Sequence, residues 1–130
     1  TKTGAIIVLQ RSNSLDFTLT ENNRSSIKLM PQILESIFFK NSPLHDGAIV
    51  IKKNNIIATR VVLPVSDNSK MPSHYGLRHR AAQGISEKTD ALVLVISEQT
   101  GKIVYVKNGE FFSFDSTGAL RDIIAQDLSE

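Results

Sequence analysis

A histidine and an aspartate stand side by side just before a run of apolar residues. In "SPLHDGAIVI" they are His45 and Asp46, and the apolar run predicts a strand at Ala48–Lys52. Asp46 could bind Mg²⁺ or Mn²⁺ or accept a proton from a hydroxyl, and His45 could be a second metal ligand. Gly47 and Ala48 would leave space for a ligand beside the backbone. The alternative is a plain turn in which Asp46 bonds to the backbone and Gly47 supplies an unusual φ.

A second group of charged residues stands at the start of a predicted helix, in "GLRHRAA". Its residues are Gly76, Leu77, Arg78, His79 and Arg80. Positive charge near a helix N-terminus is unfavourable, by about 0.3–1 kcal/mol per charge. A bound anion would remove that penalty, because unpaired backbone N–H groups and arginines together bind phosphates. The alternative is an exposed helix end whose arginines pair with Glu87 or Asp90.

A third candidate stands at the end of a strongly apolar strand predicted at residues 92–97. Ser97 could contact a phosphate there, and Glu98 a ribose hydroxyl or a metal, because ligands of open α/β sheets gather at strand ends. The alternative is that "EQTG" forms an ordinary hairpin turn. The chain contains no GxxxxGK[ST] or GxGxxG nucleotide motif and no GxSxG nucleophile elbow.

The amino-acid composition of the chain excludes several classes of function. The 130 residues correspond to one domain, and a net charge of +2 without a basic stripe argues against nucleic-acid binding while leaving small anionic ligands open. The chain has no cysteine, which excludes a disulfide, a thiolate nucleophile and a zinc–thiolate site. Its apolar runs are far too short to span a bilayer.

The hydropathy pattern predicts strands at residues 4–10, 48–52, 56–63, 92–97, 103–107 and 110–114. Helices are predicted at residues 30–39, from 77 to about 84–86, and after a cap at Asp115 or Ser116. The last helix carries one apolar face, formed by Leu120, Ile123, Ile124 and Leu128. Residues 11–26 and 65–75 are predicted as loops, and "KNN" and "NG" as hairpin turns in which asparagine takes a positive φ. These elements indicate an α/β or α+β domain whose hairpins exclude a purely parallel sheet.

The three candidate groups occur in a characteristic order: Asp-Gly-Ala at 46–48, Arg-His-Arg at 78–80 and Ser-Glu at 97–98. Together with "GAIIVL", "PLHDGAIVI", "RHRAAQGISEKTDALVLVISEQTG" and "KNGEF", they resemble the diadenylate cyclase domain over nearly the whole chain. Members of this family condense two ATP into cyclic di-AMP and two pyrophosphates. The resemblance implies an α/β (α+β) fold, with residues 1–130 forming a single domain whose twisted mixed β-sheet is flanked by helices.

The resemblance also implies a site residue by residue. Asp46 lies at the ribose 3′-hydroxyl and at a Mg²⁺ or Mn²⁺ ion, which His45 contacts as well. Asp46, Arg78 and Arg80 are the expected catalytic residues. The expected nucleotide-binding residues are Gly47 and Ala48 as a floor, Leu63 whose backbone reads the adenine edge, Gly76 and Leu77, the phosphate-binding Arg78, His79, Arg80 and Ser97, and Glu98.

Similarity to the membrane-anchored bacterial members leads to two expectations about the whole protein. The chain is a fragment of a longer protein whose N-terminal anchor holds this catalytic domain at the cytoplasmic face of the membrane. Since closing the two-nucleotide ring needs two equivalent attacks, the domain is also expected to act as a face-to-face homodimer.

Three departures from the family pattern keep other functions open. Leu77 stands where the family usually has threonine, Gln99 follows Glu98 where many members have a second acid, and Val62 replaces an aromatic residue before Leu63. The main alternative is therefore a catalytically silent module that binds ATP or cyclic di-AMP. A metal-dependent phosphohydrolase using His45 and Asp46 is a further alternative.

Overall fold

A computed structural model describes residues 4–30, 32, 47–65, 76–96, 102–114 and 116–129. These residues form the strands β1 (Ala5–Leu9), β2 (Arg24–Lys28), β3 (Ala48–Lys52), β4 (Asn55–Val61), β5 (Leu92–Ile96), β6 (Ile103–Lys107) and β7 (Glu110–Ser113). They also form the helices α1 (Leu77–Lys88) and α2 (Thr117–Leu128), and a short 3-10 turn at Asp16–Thr18. The helix predicted at residues 30–39 lies almost entirely outside the described residues.

The seven described strands form one sheet in the order β2-β4-β3-β1-β5-β6-β7. β1 pairs parallel with β3 and antiparallel with β5, while the β3–β4, β5–β6 and β6–β7 pairs are antiparallel hairpins. The predicted mixed sheet is therefore confirmed. β1, β3 and β5 lie at its centre, which explains why their sequences are nearly continuous apolar runs rather than alternating ones.

Helix α1 covers one face of the sheet because alternate strand residues and one stripe of the helix are apolar. Its Ala82 and Ile85 pack with Val8, Val50 and Val93 in a fully buried cluster. α1 runs to Lys88, beyond the predicted end at 84–86. The helix continues through Gly84 because that glycine is buried in the packed stripe, so tertiary packing outweighs its poor helix propensity.

Helix α2 packs on the opposite face, where Leu120, Ile123 and Ile124 contact the strand residues Leu92 and Tyr105. The Ser116 Oγ accepts a hydrogen bond from the backbone N–H of Ala119 at 3.1 Å, which confirms the predicted N-cap. Leu128, predicted on the same apolar face of the helix, differs from Leu120 in exposure. Leu128 is 48% exposed, whereas Leu120 is 9% exposed.

Two predictions about the first half of the chain are wrong. Residues 11–26 were expected to be loop, yet β2 begins at Arg24 and pairs with β4 at the edge of the sheet. Its polar, charged sequence hides the strand, and such residues are typical of edge strands, which must avoid pairing with other chains. In the "KNN" turn Lys53, rather than an asparagine, has the positive φ of 56°. The "NG" turn is as predicted, with Asn108 and Gly109 both at positive φ.

Candidate active site

Several strand ends meet at one edge of the sheet, and some of the predicted site residues that the structure describes lie there. Ile6 pairs with Ala48, Ala48 pairs with Val61, and Ala5 pairs with Ile96. The starts of β1 and β3 therefore lie beside the ends of β4 and β5. We call this the site edge; its described residues are Gly4, Gly47, Ala48, Val61, Val62, Leu63 and Ile96. In the sequence Asp46 directly precedes it and Ser97 directly follows it.

Close packing against strand β4 requires a glycine at position 47. Its φ is +80°, and a Cβ added there would lie 2.8 Å from the backbone carbonyl carbon of Arg60 and 3.0 Å from the backbone N of Val61. The space beside Gly47 is thus filled by β4 instead of being open to a ligand. A ligand contact at Gly47 would have to use its backbone.

Ala48, Leu63 and Val62 differ sharply in exposure. Ala48 is fully buried in the cluster beneath α1, and the side chain of Leu63 packs into the same cluster. Between β4 and Leu63, Val62 is 84% exposed. The Leu63 side chain therefore anchors this segment in the core, which leaves its backbone as the group able to recognise a base edge.

The first turn of α1 begins at Gly76, which supplies no side-chain cap and leaves open space around its Cα. No acidic residue lies in this turn, and Leu77 is 76% exposed. The backbone N–H of Arg80 donates to the Gly76 carbonyl at 3.2 Å. A helix N-terminus without a side-chain cap presents N–H donors and the positive end of the helix dipole, as anion binding requires.

Arg78 and His79 point in different directions, since successive helix residues are rotated by about 100°. The guanidinium of Arg78 lies over Gly4, where a glycine Cβ would be 2.7 Å from its Cζ and Nη1 atoms. The ring of His79 packs edge-on against Phe111 on β7, with 6.2 Å between ring centroids. The structure thus brings Arg78 to the site edge and places His79 against β7, while Arg80 is half-buried.

The position of α1 depends on polar contacts that the sequence analysis did not identify. Gln83 Nε2 donates to the Gly109 carbonyl at 3.0 Å, and the Gly109 N–H donates to Ser86 Oγ at 2.9 Å. Ser86 Oγ in turn donates to the Gln83 carbonyl at 3.1 Å. The predicted Asn-Gly turn was the available signal, but its contact with α1 depends on the fold. The β6–β7 turn thereby fixes the helix that carries Arg78.

Asp90, which was considered as a partner for the arginines, is instead bound by the loop after β1. Its carboxylate accepts hydrogen bonds from the backbone N–H groups of Ser12 at 3.0 Å and Asn13 at 2.9 Å. Burial alone would raise the pKa of Asp90, but these hydrogen bonds and the nearby Arg11 outweigh it and hold that pKa below its usual value. The carboxylate therefore has a structural role distant from the α1 start.

His45, Asp46, Ser97 and Glu98 lie outside the described residues, and so do the "EQTG" turn and most of the loop predicted at 65–75. Within the described ranges no group of three or more His, Asp or Glu side chains could hold a metal. Mg²⁺ is commonly bound by one or two carboxylates together with substrate phosphates, so a large protein ligand set is not needed. The donor chemistry of Asp46 and His45, which in the sequence directly precede an edge that carries the Arg78 guanidinium, fits such an ion.

Comparison with known proteins decides the family. A model of the DAC family, described as the DisA bacterial checkpoint controller nucleotide-binding family, matches residues 1–111. The chain belongs to this family. It is 40% identical over 112 residues to the diadenylate cyclase CdaS of Bacillus thuringiensis, covering 86% of this chain and 56% of the relative. It is 41% identical over 125 residues to the diadenylate cyclase of Listeria monocytogenes, covering 96% and 46%.

Solved structures share the fold. DacA from Staphylococcus aureus, solved as a double mutant, is 32% identical with a TM-score of 0.88, and the match covers 98% of this chain and 85% of that one. A hypothetical membrane spanning protein from Bacillus cereus is 38% identical with a TM-score of 0.83, covering 88% and 56%. The chain spans about half the length of the curated relatives it matches. In its described part no helix combines the length and the hydrophobicity needed to cross a membrane.

Proposed function

We propose that this domain is a diadenylate cyclase, which condenses two ATP into cyclic di-AMP and two pyrophosphates. The observation that carries the proposal is that the guanidinium of Arg78 lies over Gly4 at the same edge where Gly47 opens β3. An arginine, a residue type well suited to binding phosphate, thus lies beside the segment that follows Asp46 in the chain, which supports the proposal. The names of the relatives described above support the same activity.

In the proposed reaction each ribose 3′-oxygen attacks the α-phosphorus of the other ATP. A new O–P bond forms, the bond from the α-phosphorus to the bridging oxygen breaks, and pyrophosphate leaves. Asp46 accepts the hydroxyl proton, while Arg78, Arg80 and Ser97 hold the phosphates and reduce the charge repulsion. The Leu63 backbone reads the adenine edge, and Gly76, Leu77, His79 and Glu98 complete the nucleotide site.

Asp46 and His45 are proposed to hold the Mg²⁺ or Mn²⁺ ion, together with oxygens of the triphosphate. When bound, the ion supplies Lewis-acid stabilisation of phosphate charge and makes the hydroxyl easier to deprotonate.

Two equivalent attacks require two bound nucleotides with their reacting atoms opposed. We propose a homodimer with twofold symmetry in which the two site edges face each other. Val62 and Leu77, both largely exposed near this edge, support the proposal because a second copy would remove apolar surface from water. For the complete protein we propose an N-terminal membrane anchor that holds this domain, residues 1–130, at the cytoplasmic face.

A direct test is to incubate the protein with ATP and Mg²⁺ or Mn²⁺ and separate the products by chromatography. Cyclic di-AMP with two pyrophosphates per ring is the expected result. Recovery of unchanged ATP with measurable ATP binding would instead favour a silent binding module, an alternative supported by the exposed, hydroxyl-free Leu77. Release of phosphate or AMP would favour a phosphohydrolase.

The role of Asp46 is tested by Asp46→Asn. We expect cyclic di-AMP formation to fall by about 10²-fold or more, the usual contribution of a general base, because the amide cannot accept the hydroxyl proton. Circular dichroism and thermal unfolding should match the wild-type protein. Turnover close to that of the wild type would show that Asp46 does not have this role.

A further inference from the structure

Arg60 is a charged residue whose backbone conformation is unfavourable for arginine. Its φ is +56°, in the left-handed region that glycine and asparagine adopt more readily than arginine, and its side chain is exposed. Unfavourable backbone conformations of this kind persist when the surrounding structure imposes them, and they cluster at functional sites. No sequence motif indicated this residue.

The surrounding structure imposes this conformation through a β-bulge. Ala48 pairs with Val61 and Val50 pairs with Ala58, so two residues of β4, Thr59 and Arg60, lie opposite one residue of β3. A bulge inserts an extra residue and redirects a side chain that regular alternation would place elsewhere. Thr59 is buried, whereas Arg60 is directed to solvent.

This bulge lies against Gly47. The backbone Cα of Arg60 would be 3.0 Å from a Cβ on Gly47, whereas at Gly4 it is the side-chain guanidinium of Arg78 that a Cβ would meet, at 2.7 Å. Since Ile6 pairs with Ala48, the two glycines stand at the starts of adjacent parallel strands, which are about 4.8 Å apart. The backbone of Arg60 and the guanidinium of Arg78 therefore lie beside two neighbouring glycines at the site edge.

The charge of Arg60 has no partner among the described residues. Its side chain makes no hydrogen bond or ion pair with any described residue. A guanidinium presents a planar fork of donors that matches phosphate oxygens, and its charge cannot be removed at physiological pH. A polyphosphate at the site edge is the ligand that this placement fits.

We propose that Arg60, in the β4 bulge beside the start of β3, is a second triphosphate-binding arginine in addition to Arg78. The inference rests on the proposed function, since it takes ATP as the ligand of this edge. The two arginines would contact the phosphate chain from the α1 side and from the β4 side. The strained bulge would then exist because it directs a cation into the site.

Lys53 provides a matched control for Arg60. It is also exposed and also has a φ of +56°, but it lies in the β3–β4 turn at the opposite end of these strands. Arg60→Asn and Lys53→Asn remove the same charge from the same backbone conformation, and asparagine tolerates that conformation well. The two variants therefore differ in the position of the lost charge.

Binding of an ATP analogue with a methylene α–β bridge, measured by calorimetry with Mg²⁺, tests the proposal. We expect Arg60→Asn to weaken binding about tenfold or more and to reduce its salt dependence, while Lys53→Asn stays within about twofold of the wild type. Thermal unfolding of both variants should be unchanged or improved. Arg60→Lys, which keeps the charge but not the fork, should bind with intermediate affinity.

Equal affinities for Arg60→Asn and Lys53→Asn would overturn the proposal. If Arg60→Asn fails to fold, Arg60→Gly and Lys53→Gly take the place of the asparagine pair, because glycine suits the positive φ, and equal affinities for these two variants would overturn the proposal as well. In both cases the wild-type product assay is the separate check on the proposed function. If the wild-type protein makes cyclic di-AMP but substitution of Arg60 does not change binding of the ATP analogue, the cyclase proposal stands and the Arg60 proposal is wrong.

Discussion

At the scale of single residues, Gly47 is constrained both by its own conformation and by its neighbour. Its positive φ excludes a relaxed L-residue, and the backbone of Arg60 and Val61 occupies the position of a Cβ. The glycine in the Asp-Gly-Ala motif is therefore needed for strand packing at the site edge, in addition to any contact with a nucleotide. The same packing sets the position of the chain directly after Asp46.

This constraint predicts the effect of Gly47→Ala. We expect the free energy of unfolding to fall by about 2 kcal/mol or more, because the added Cβ is strained and meets backbone atoms that cannot rotate away. Gly118→Ala is the control, since the atom nearest to a Cβ added there, Ser116 Oγ, is 4.0 Å away and the residue lies exposed in α2. That variant should gain about 0.5–1 kcal/mol from helix propensity. Urea unfolding measures both; a Gly47→Ala protein as stable as the wild type would contradict the account.

At the scale of elements, helix α2 is attached to the sheet by a hydrogen-bond network around Asp127. The Asp127 carboxylate accepts from Tyr105 Oη at 2.6 Å and from Lys107 Nζ at 2.9 Å, and its backbone carbonyl accepts from Arg11 Nη1 at 2.8 Å. The hydrogen bonds from Tyr105 and then from Lys107 outweigh burial and lower the pKa of Asp127. Buried charge-assisted contacts thus join the end of α2 to β6 and to the segment after β1.

The lowered pKa determines the sign of the pH dependence. A depressed carboxyl pKa stabilises the fold at pH above the unfolded value of about 3.9, and this contribution is lost as pH falls through the lower folded value. We expect Asp127→Asn to reduce the free energy of unfolding by about 1–3 kcal/mol at pH 7, with a smaller difference at pH 3. Urea unfolding at both pH values measures this.

Asp122→Asn, on an exposed part of the same helix, is the control and should have little effect at either pH. A loss in Asp127→Asn that is equally large at pH 7 and pH 3 would show that the carboxylate charge is not what stabilises α2.

At the scale of the whole molecule, the proposed reaction joins two nucleotides, and the proposed dimer supplies one from each of its two site edges. We therefore expect the cyclase activity per protomer to rise with protein concentration and to fall in proportion to dilution once dimers dissociate. Product formation over a dilution series, with the dimer fraction measured by analytical ultracentrifugation, tests this. Constant activity per protomer in a sample that is monomeric by sedimentation would exclude the opposed-dimer mechanism.

The elements that were predicted correctly depend on local patterns. The apolar runs of β1, β3 and β5, the Asn108–Gly109 turn and the Ser116 cap each follow from residues within a few positions of one another. β2 was missed because its polar sequence is suited to an edge strand, and its pairing with β4 is a long-range contact. The same distinction between local patterns and long-range contacts applies to the candidate site. The motifs identified the segments, whereas the direction of His79, the partners of Asp90 and the contacts of Gln83 depend on how α1 lies on the sheet.

The sequence alone determined the family, the mixed sheet and the segments of the candidate site, because residue types, their order and their periodicity are local properties of the chain. Only the tertiary structure decided that the starts of β1 and β3 and the ends of β4 and β5 share one edge, and that Arg60 and Arg78 stand beside neighbouring glycines there. Strand order and register bring together residues far apart in the chain. Such contacts arise from packing and backbone hydrogen bonding, which no short stretch of sequence specifies.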